Sequence, residues 1–301
     1  MSSTYLPVVE FPLQFITYSD YKVYKPVVPI LFGRSLSSFL RLLRKKAIIG
    51  VVHLLPLPGS PLYGGSMKEV LKRAINDAEK LEEGGVDAII VENFGDVPYY
   101  PRNVPPITVS SMTYIASKIV ERVDIPVGVN VLRNDAIASL SIAHVVGAEF
   151  IRVNILTEAI VTDQGIIEGA AHELLRMRRY LSSDIVILAD VHVKHGYPLM
   201  KRDIGESALD LIERGLADAL VITGRRTGEP PSKEKLISVK KAVPKTPVLI
   251  GSGITLENIS EYFDLCDSFI IGTYFKVNGI VKAPVDLTRV KELVNKVSEI
   301  S

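Results

Sequence analysis

One cysteine, two glutamines, five histidines and no tryptophan in 301 residues remove several functional classes at once. Cys266 alone supports neither a disulfide framework nor a cysteine-rich zinc site, and a lone thiol suits a reducing compartment, so a cytoplasmic location is expected. Net charge is equally scarce. Lys and Arg number 35 against 34 Asp and Glu, a formal net charge of +1, so no basic field draws nucleic acid and none is expected as a partner. No stretch approaches the roughly 18 apolar residues that cross a bilayer, and Met1 is not followed by a basic segment and a clean apolar run; neither a transmembrane segment nor an export signal is expected. Also missing is a GxGxxG after the first apolar run, where an open dinucleotide-binding sheet would carry one.

What is present is regular alternation. From Ala47 onward, short β-branched runs at Ile48–His53, Ala88–Glu92, Val127–Val131, Phe150–Asn154, Ile185–Val191, Ala219–Thr223, Val248–Ile250 and Phe269–Ile271 are separated by amphipathic stretches. Those stretches run over Met67–Glu83, Thr108–Arg122, Asp135–Val146, Gly169–Leu181, Ile204–Arg214, Lys233–Lys241, Leu256–Phe263 and Asp286–Val297. Eight βα units in unbroken order predict an α/β chain folded as a (β/α)8 TIM barrel over residues 47–301, a size that suits the usual barrel of about 250 residues. An open doubly wound sheet is the alternative.

Residues 1–46 read as an N-terminal extension. Within residues 35–46, Leu36, Phe39, Leu40 and Leu43 share one side at helical spacing while Arg41, Arg44 and Lys45 lie elsewhere. This predicts an amphipathic helix capping the N-terminal end of the barrel. Peripheral contact with an anionic membrane surface is the other use of such a segment.

In a barrel the chemistry sits where strands end, because the βα loops gather at the C-terminal face. The runs end in polar residues: His53; Glu92-Asn93 with Asp96; Asn130 and Arg133-Asn134-Asp135; Arg152 and Asn154; Asp190 to Gly196; and Thr223 to Gly228. Together His53 to Pro61 with Gly64-Gly65, Glu92 to Pro98, Asp190 to Gly196, Thr223 to Gly228 and Gly251-Ser252-Gly253 resemble the BtpA/SgcQ family, and the resemblance covers residues 47–299. It implies a ribulose-phosphate-binding type of barrel, a family named for a thylakoid-associated photosystem I factor, and no settled reaction.

The glycine turns after the last two runs carry a reading of their own. Gly251-Ser252-Gly253 and Gly272-Thr273 let backbone N–H groups approach a phosphate, Ser252 and Thr273 add hydroxyls, and a helix beginning near Thr255 would favour the anion. Alternation places Asp190, His192 and Lys194 on one face of the fifth run. With His53 and Glu92 they form the expected catalytic set. Asp190, His192 and Glu92 would bind a divalent metal ion, or Lys194 would act as a base, an imine-forming nucleophile or a phosphate partner. An internal Asp190–Lys194 ion pair, with His192 bonded to the backbone, weighs equally. Asn130, Arg133, Arg152, Asn154, Thr223, Gly224 and Thr227 are expected to bind the remainder of the substrate, with Arg as a bidentate fork and Gly224 and Gly228 as hinges of a closing loop. The expected function is an enzyme on a small phosphorylated sugar or nucleotide-like metabolite, acting as an isomerase, lyase or hydrolase, and a homo-oligomer. A non-catalytic assembly factor at a membrane complex is the rival.

Overall fold

The computed structural model describes residues 38–301. The strands in chain order are β1 (Ile48–His53), β2 (Ala88–Glu92), β3 (Val127–Asn130), β4 (Phe150–Val153), β5 (Ala159–Thr162), β6 (Gly165–Glu168), β7 (Val186–Val191), β8 (Gly196–Pro198), β9 (Ala219–Ile222), β10 (Val248–Ile250) and β11 (Ser268–Ile271). Eight of them close a parallel barrel in the order β1-β11-β10-β9-β7-β4-β3-β2. All eight expected runs are present, each within a residue of its expected limits.

The helix α1 (Ser38–Leu42) packs its Phe39 against the barrel interior, and helices wrap the outside: α2 (Met67–Glu83), α3 (Pro106–Val120), α4 (Ala136–Val146), α5 (Ala171–Tyr180), α6 (Ile204–Glu213), α7 (Lys233–Ala242), α8 (Ile259–Tyr262) and α9 (Leu287–Ile300). Local chemistry starts several of them. The side chains of Ser66, Asp135 and Asp203 accept first-turn N–H groups of α2, α4 and α6, which would otherwise lack partners. Strands such as β2 and β7 are buried along their whole length, one face on helices and the other in the barrel, so their sequences run apolar without alternation until the mouth.

The barrel interior is apolar at its N-terminal end. Ile49, Val51, Ala88, Ile90, Phe150, Val186, Leu188, Val221, Leu249 and Ile270 form one cluster, and Phe39 and Leu43 belong to it. The Phe39 ring stacks on Phe150 with centroids 4.2 Å apart and planes 8° from parallel. Ser268 Oγ donates to the Leu43 carbonyl at 2.8 Å, and Lys46 N–H donates to Asp267 O at 2.9 Å. Phe39 and Leu43 are therefore spent inside the barrel, with Leu40 and Leu42 partly buried against the same cluster. The earlier part of the extension, residues 1–37 with Leu36, lies outside the described residues.

Two features depart from expectation. A three-stranded antiparallel sheet, β6-β5-β8, stands beside the mouth, held by a small core of Ile155, Ile160, Ile167 and Val193. The helix expected over Leu256–Phe263 shrinks to α8 and a 3-10 turn at Phe263–Leu265. Asn258 causes this, because its side chain accepts from Thr255 N–H at 2.9 Å and donates to Gly253 O at 2.9 Å, fixing 253–258 as a turn.

Candidate functional site

The parity that points Ile49, Ile90, Phe150, Leu188 and Val221 into the barrel carries on to His53, Glu92, Arg152, Asp190 and Thr223. The last interior layer, at the C-terminal mouth, is thus polar. Three charges in it are nearly inaccessible: Glu92 at 3%, Arg152 at 2% and Asp190 at 4% exposure. Arg152 answers for two of them, its Nε donating to Asp190 Oδ1 at 2.8 Å and its second terminal nitrogen to Asp190 Oδ2 at 2.9 Å. Its remaining nitrogen reaches Glu92 Oε1 at 3.4 Å. Burial opposes the Arg152 charge, but the two carboxylates more than offset it and hold its pKa above the ordinary value. Asn130 donates to Glu92 Oε1 at 3.0 Å and Asn154 to Asp190 Oδ2 at 3.2 Å, which completes the ring.

His53 lies with its ring 4.4 Å from Phe94 and Nε2 3.9 Å from Glu92 Oε2. Burial, and then the charges of Lys276 and Lys194, push its pKa well below the ordinary value, so it is a neutral imidazole. Lys194 follows the end of β7. Its backbone N–H donates to Thr223 Oγ1 at 2.9 Å, while its ammonium pairs with no carboxylate among the described residues. Burial, then Arg152, lower its pKa from 10.5 to about 8, against the pull of Glu92 and Asp190.

Two cavities open on this layer. One of about 180 Å³ is lined by Gly251, Ser252, Gly253, Gly272, Thr273 and Arg289. Among the described residues, the backbone N–H groups of Gly253 and Ile254 in its wall donate to no backbone or side-chain acceptor. The other, of about 870 Å³, is bounded by Phe94, Tyr99, Arg133, Asn154, Tyr197 and Arg226. Glu92, Arg152, Lys194 and Thr227 belong to both walls.

Several expected members stand elsewhere. His192 does not share a face with Asp190 and Lys194: β7 ends at Val191, and His192 takes φ 48°, which turns its ring to Ser207 Oγ at 3.0 Å and to within 4.0 Å of Glu158. The expected metal set of Asp190, His192 and Glu92 therefore does not converge, and both Asp190 oxygens already accept from Arg152; among the described residues no three His, Cys, Asp or Glu side chains group as a metal ion requires. Asp190 pairs with Arg152 and not with Lys194. Ser252 lines the small cavity, yet its hydroxyl donates to Glu229 O at 2.7 Å and accepts from Gly224 N–H at 3.0 Å, so it ties two loops together and has no donor left for a phosphate. Gly224 is no hinge facing a ligand; a Cβ there would lie 2.2 Å from Glu229 O. Gly253, at φ +74°, is required both by that left-handed turn and by the approach of Pro230, whose nitrogen would lie 2.0 Å from a Cβ. The anion-favouring helix start near Thr255 is also lost, since that N–H is taken by Asn258.

Arg289 was absent from the expected set. It reaches the small cavity from α9, stacked 4.2 Å over Tyr274 with Nε donating to Tyr274 O at 2.6 Å. Nothing in its amphipathic surroundings marks it out, because only the closure of the barrel brings α9 to the glycine turns.

Fold and mouth define a (β/α)8 barrel with a buried, charged C-terminal site. Solved structures of that architecture match it in fold: N-(5'-phosphoribosyl)anthranilate isomerase from Pyrococcus furiosus, with TM-score 0.52 and 15% identity over 84% of this chain and 98% of that one, and 7,8-dihydropteroate synthase from Vibrio fischeri, with TM-score 0.53 and 15% identity over 86% and 93%. The chain belongs to the BtpA family, whose model matches residues 44–299. Among its relatives are an uncharacterized protein of Pyrococcus furiosus, 50% identical over 83% of this chain and 94% of the relative, and the photosystem I biogenesis protein BtpA of Synechocystis, 48% identical over 84% and 88%. A mitochondrial protein of Caenorhabditis elegans is 34% identical over 83% of this chain and 92% of its own length.

Proposed function

We propose that this barrel is an enzyme acting on a small phosphorylated sugar or nucleotide-like metabolite. The phosphate lies in the glycine-lined cavity against the free N–H groups of Gly253 and Ile254 and the Arg289 guanidinium, and the reacting carbon faces Lys194. One observation carries the reading: Lys194 stands in the wall common to both cavities and its ammonium has no carboxylate partner among the described residues, with burial lowering its pKa to about 8. A half-buried amine that is partly neutral near physiological pH takes a proton from carbon or adds to a carbonyl, the chemistry of isomerases and lyases. Glu92, also in both walls, supplies a carboxylate on the same boundary.

The rival is a docking role of the kind named for the Synechocystis relative. Among the described residues no helix is long and apolar enough to cross a membrane, and Phe39 and Leu43, two of the four apolar side chains of the surface-binding reading, are buried in the barrel. A scaffold has no use for an unpaired, half-buried amine. The cytoplasmic and homo-oligomeric expectations go with the enzyme reading; Cys266, buried and with its thiol pushed up to about 12, is an unreactive packing residue.

Ribose 5-phosphate is expected to raise the melting temperature where ribose does not, by linkage worth about 2.7 kcal/mol at a hundred times its Kd. Arg289→Met should weaken that binding roughly 10-fold, or about 1.4 kcal/mol. Borohydride added with the ketose or aldose phosphate separates an imine, which leaves a fixed adduct on Lys194, from proton transfer, which leaves none. The reading fails if no phosphorylated compound shifts the transition.

A further inference from the structure

We infer that the compound held at this site carries a second anionic group, a carboxylate or another phosphate, received by Arg133 in the larger cavity. This rests on the phosphate reading above and adds the chemical class of the substrate's other end.

Two of the three buried arginines among the described residues are paired. Arg152, at 2% exposure, has Asp190, and Arg178, at 6%, has Asp218 at 2.5 Å. Arg133, at 4%, has no carboxylate within 4.0 Å among the described residues. Its side chain makes one hydrogen bond to the protein, from a terminal nitrogen to the Lys194 carbonyl, although a guanidinium has five N–H donors. Burial lowers its pKa, and Asp190 and Asp163 act on it only from beyond pairing distance. An ion taken out of water without a partner costs several kcal/mol, a cost that an anion bound at Arg133 would offset.

The surroundings have the same sign. The wall of the large cavity brings Arg133, Arg152, Lys194, Arg225 and Arg226 together with Glu92, Asp163 and Glu229. Arg152 is spent on Asp190 and Glu92, so the free cations are concentrated at Arg133, at Lys194 and on the exposed rim. The planar fork of Arg133 suits a carboxylate or phosphate held bidentately. Because Arg133 donates to the carbonyl of Lys194, and Lys194 borders both cavities, the two anion sites flank the amine. A compound with an acidic group at each end would place its middle carbons against Nζ.

Titration calorimetry with three probes tests this: ribose 5-phosphate with one anion, 5-phosphoribonate with an added carboxylate, and ribulose 1,5-bisphosphate with an added phosphate. At least one two-anion probe should bind ~10-fold or more tightly than ribose 5-phosphate, and the one that gains more identifies the group. Arg133→Met should remove that gain and leave ribose 5-phosphate binding within about 2-fold. Without ligand, Arg133→Met should melt at or above the wild-type temperature, because a buried unpaired cation has gone; a lower melting temperature would mean a structural arginine and would overturn the inference. So would equal affinity for all three probes, or an equal loss for all of them in the variant, and either result leaves the phosphate reading standing. If none of the three binds, this inference falls, whereas the phosphate reading falls only when no phosphorylated compound shifts the melting transition.

Discussion

Replacing Lys194 by Met tests the central claim through stability, with no knowledge of the substrate. Lys194 is half-buried, its ammonium lacks an ion-pair partner among the described residues, and its pKa is lowered from 10.5 to about 8. Each tenfold weakening of proton binding corresponds to about 1.4 kcal/mol, so holding the protonated amine in the folded state costs the wild type about 3 kcal/mol. Methionine fills a similar volume without the charge. Below pH 8 both folded and unfolded wild type are protonated, the cost is fully present, and the variant should be the more stable by up to about 3 kcal/mol, roughly 5–10 °C for a domain of this size. Between about 8 and the unfolded value of 10.5 the folded wild type sheds its proton before the unfolded chain does, so its stability rises with pH and the gap closes; above 10.5 the gap is gone. Urea unfolding of both proteins at several pH values reads this directly. A variant less stable than wild type at pH 7, or a gap that does not change with pH, would refute the half-buried, unpaired amine. Turnover, once a substrate is found, should rise with pH through about 8 as the neutral amine forms, and be lost in the variant.

Asp190→Asn removes the bidentate partner of Arg152 and leaves that charge with Glu92 at 3.4 Å alone, so unfolding free energy should fall by about 3–5 kcal/mol while bound metal, measured by mass spectrometry, stays unchanged. A loss under about 1 kcal/mol would mean that the ion pair does not organise the mouth. Phe39→Ala opens a cavity against Phe150 and should cost about 3–5 kcal/mol in urea unfolding without altering liposome association; if stability is untouched and vesicle binding disappears, the segment serves a membrane and not the barrel.

Each of the eight barrel strands was legible because a strand buried on both faces needs a run of β-branched residues, and such runs recur between helical stretches with side-chain caps at Ser66, Asp135 and Asp203. The polar mouth was legible as well, since parity along a strand is a local property: once Ile90 faces inward, so does Glu92. Parity failed at His192 because the strand stops one residue earlier and a positive φ reverses the side chain, an outcome set by Ser207 on α6, which no local pattern announces. The β5–β6 hairpin had a local signal in Ile160-Val161 and Ile166-Ile167 around a turn ending in Gly165, but β8 joins from 28 residues beyond β6 and could not be read beside it.

What the sequence determined by itself was the alternation of elements, the fold class that follows from it, and which residue types crowd the strand ends. Which of those residues pair was decided only by tertiary structure. Arg152 meets Asp190 because β4 lies next to β7, Ser252 is consumed because the chain at Gly224 and Glu229 packs on it, and Arg289 enters because α9 closes the ring. Periodicity is fixed over two to four residues by backbone geometry, whereas a charge finds or lacks its partner through contacts tens of residues away. Among the described residues, the two unpaired cations of the mouth, buried Arg133 and half-buried Lys194, became visible only after the buried charges around them had been matched.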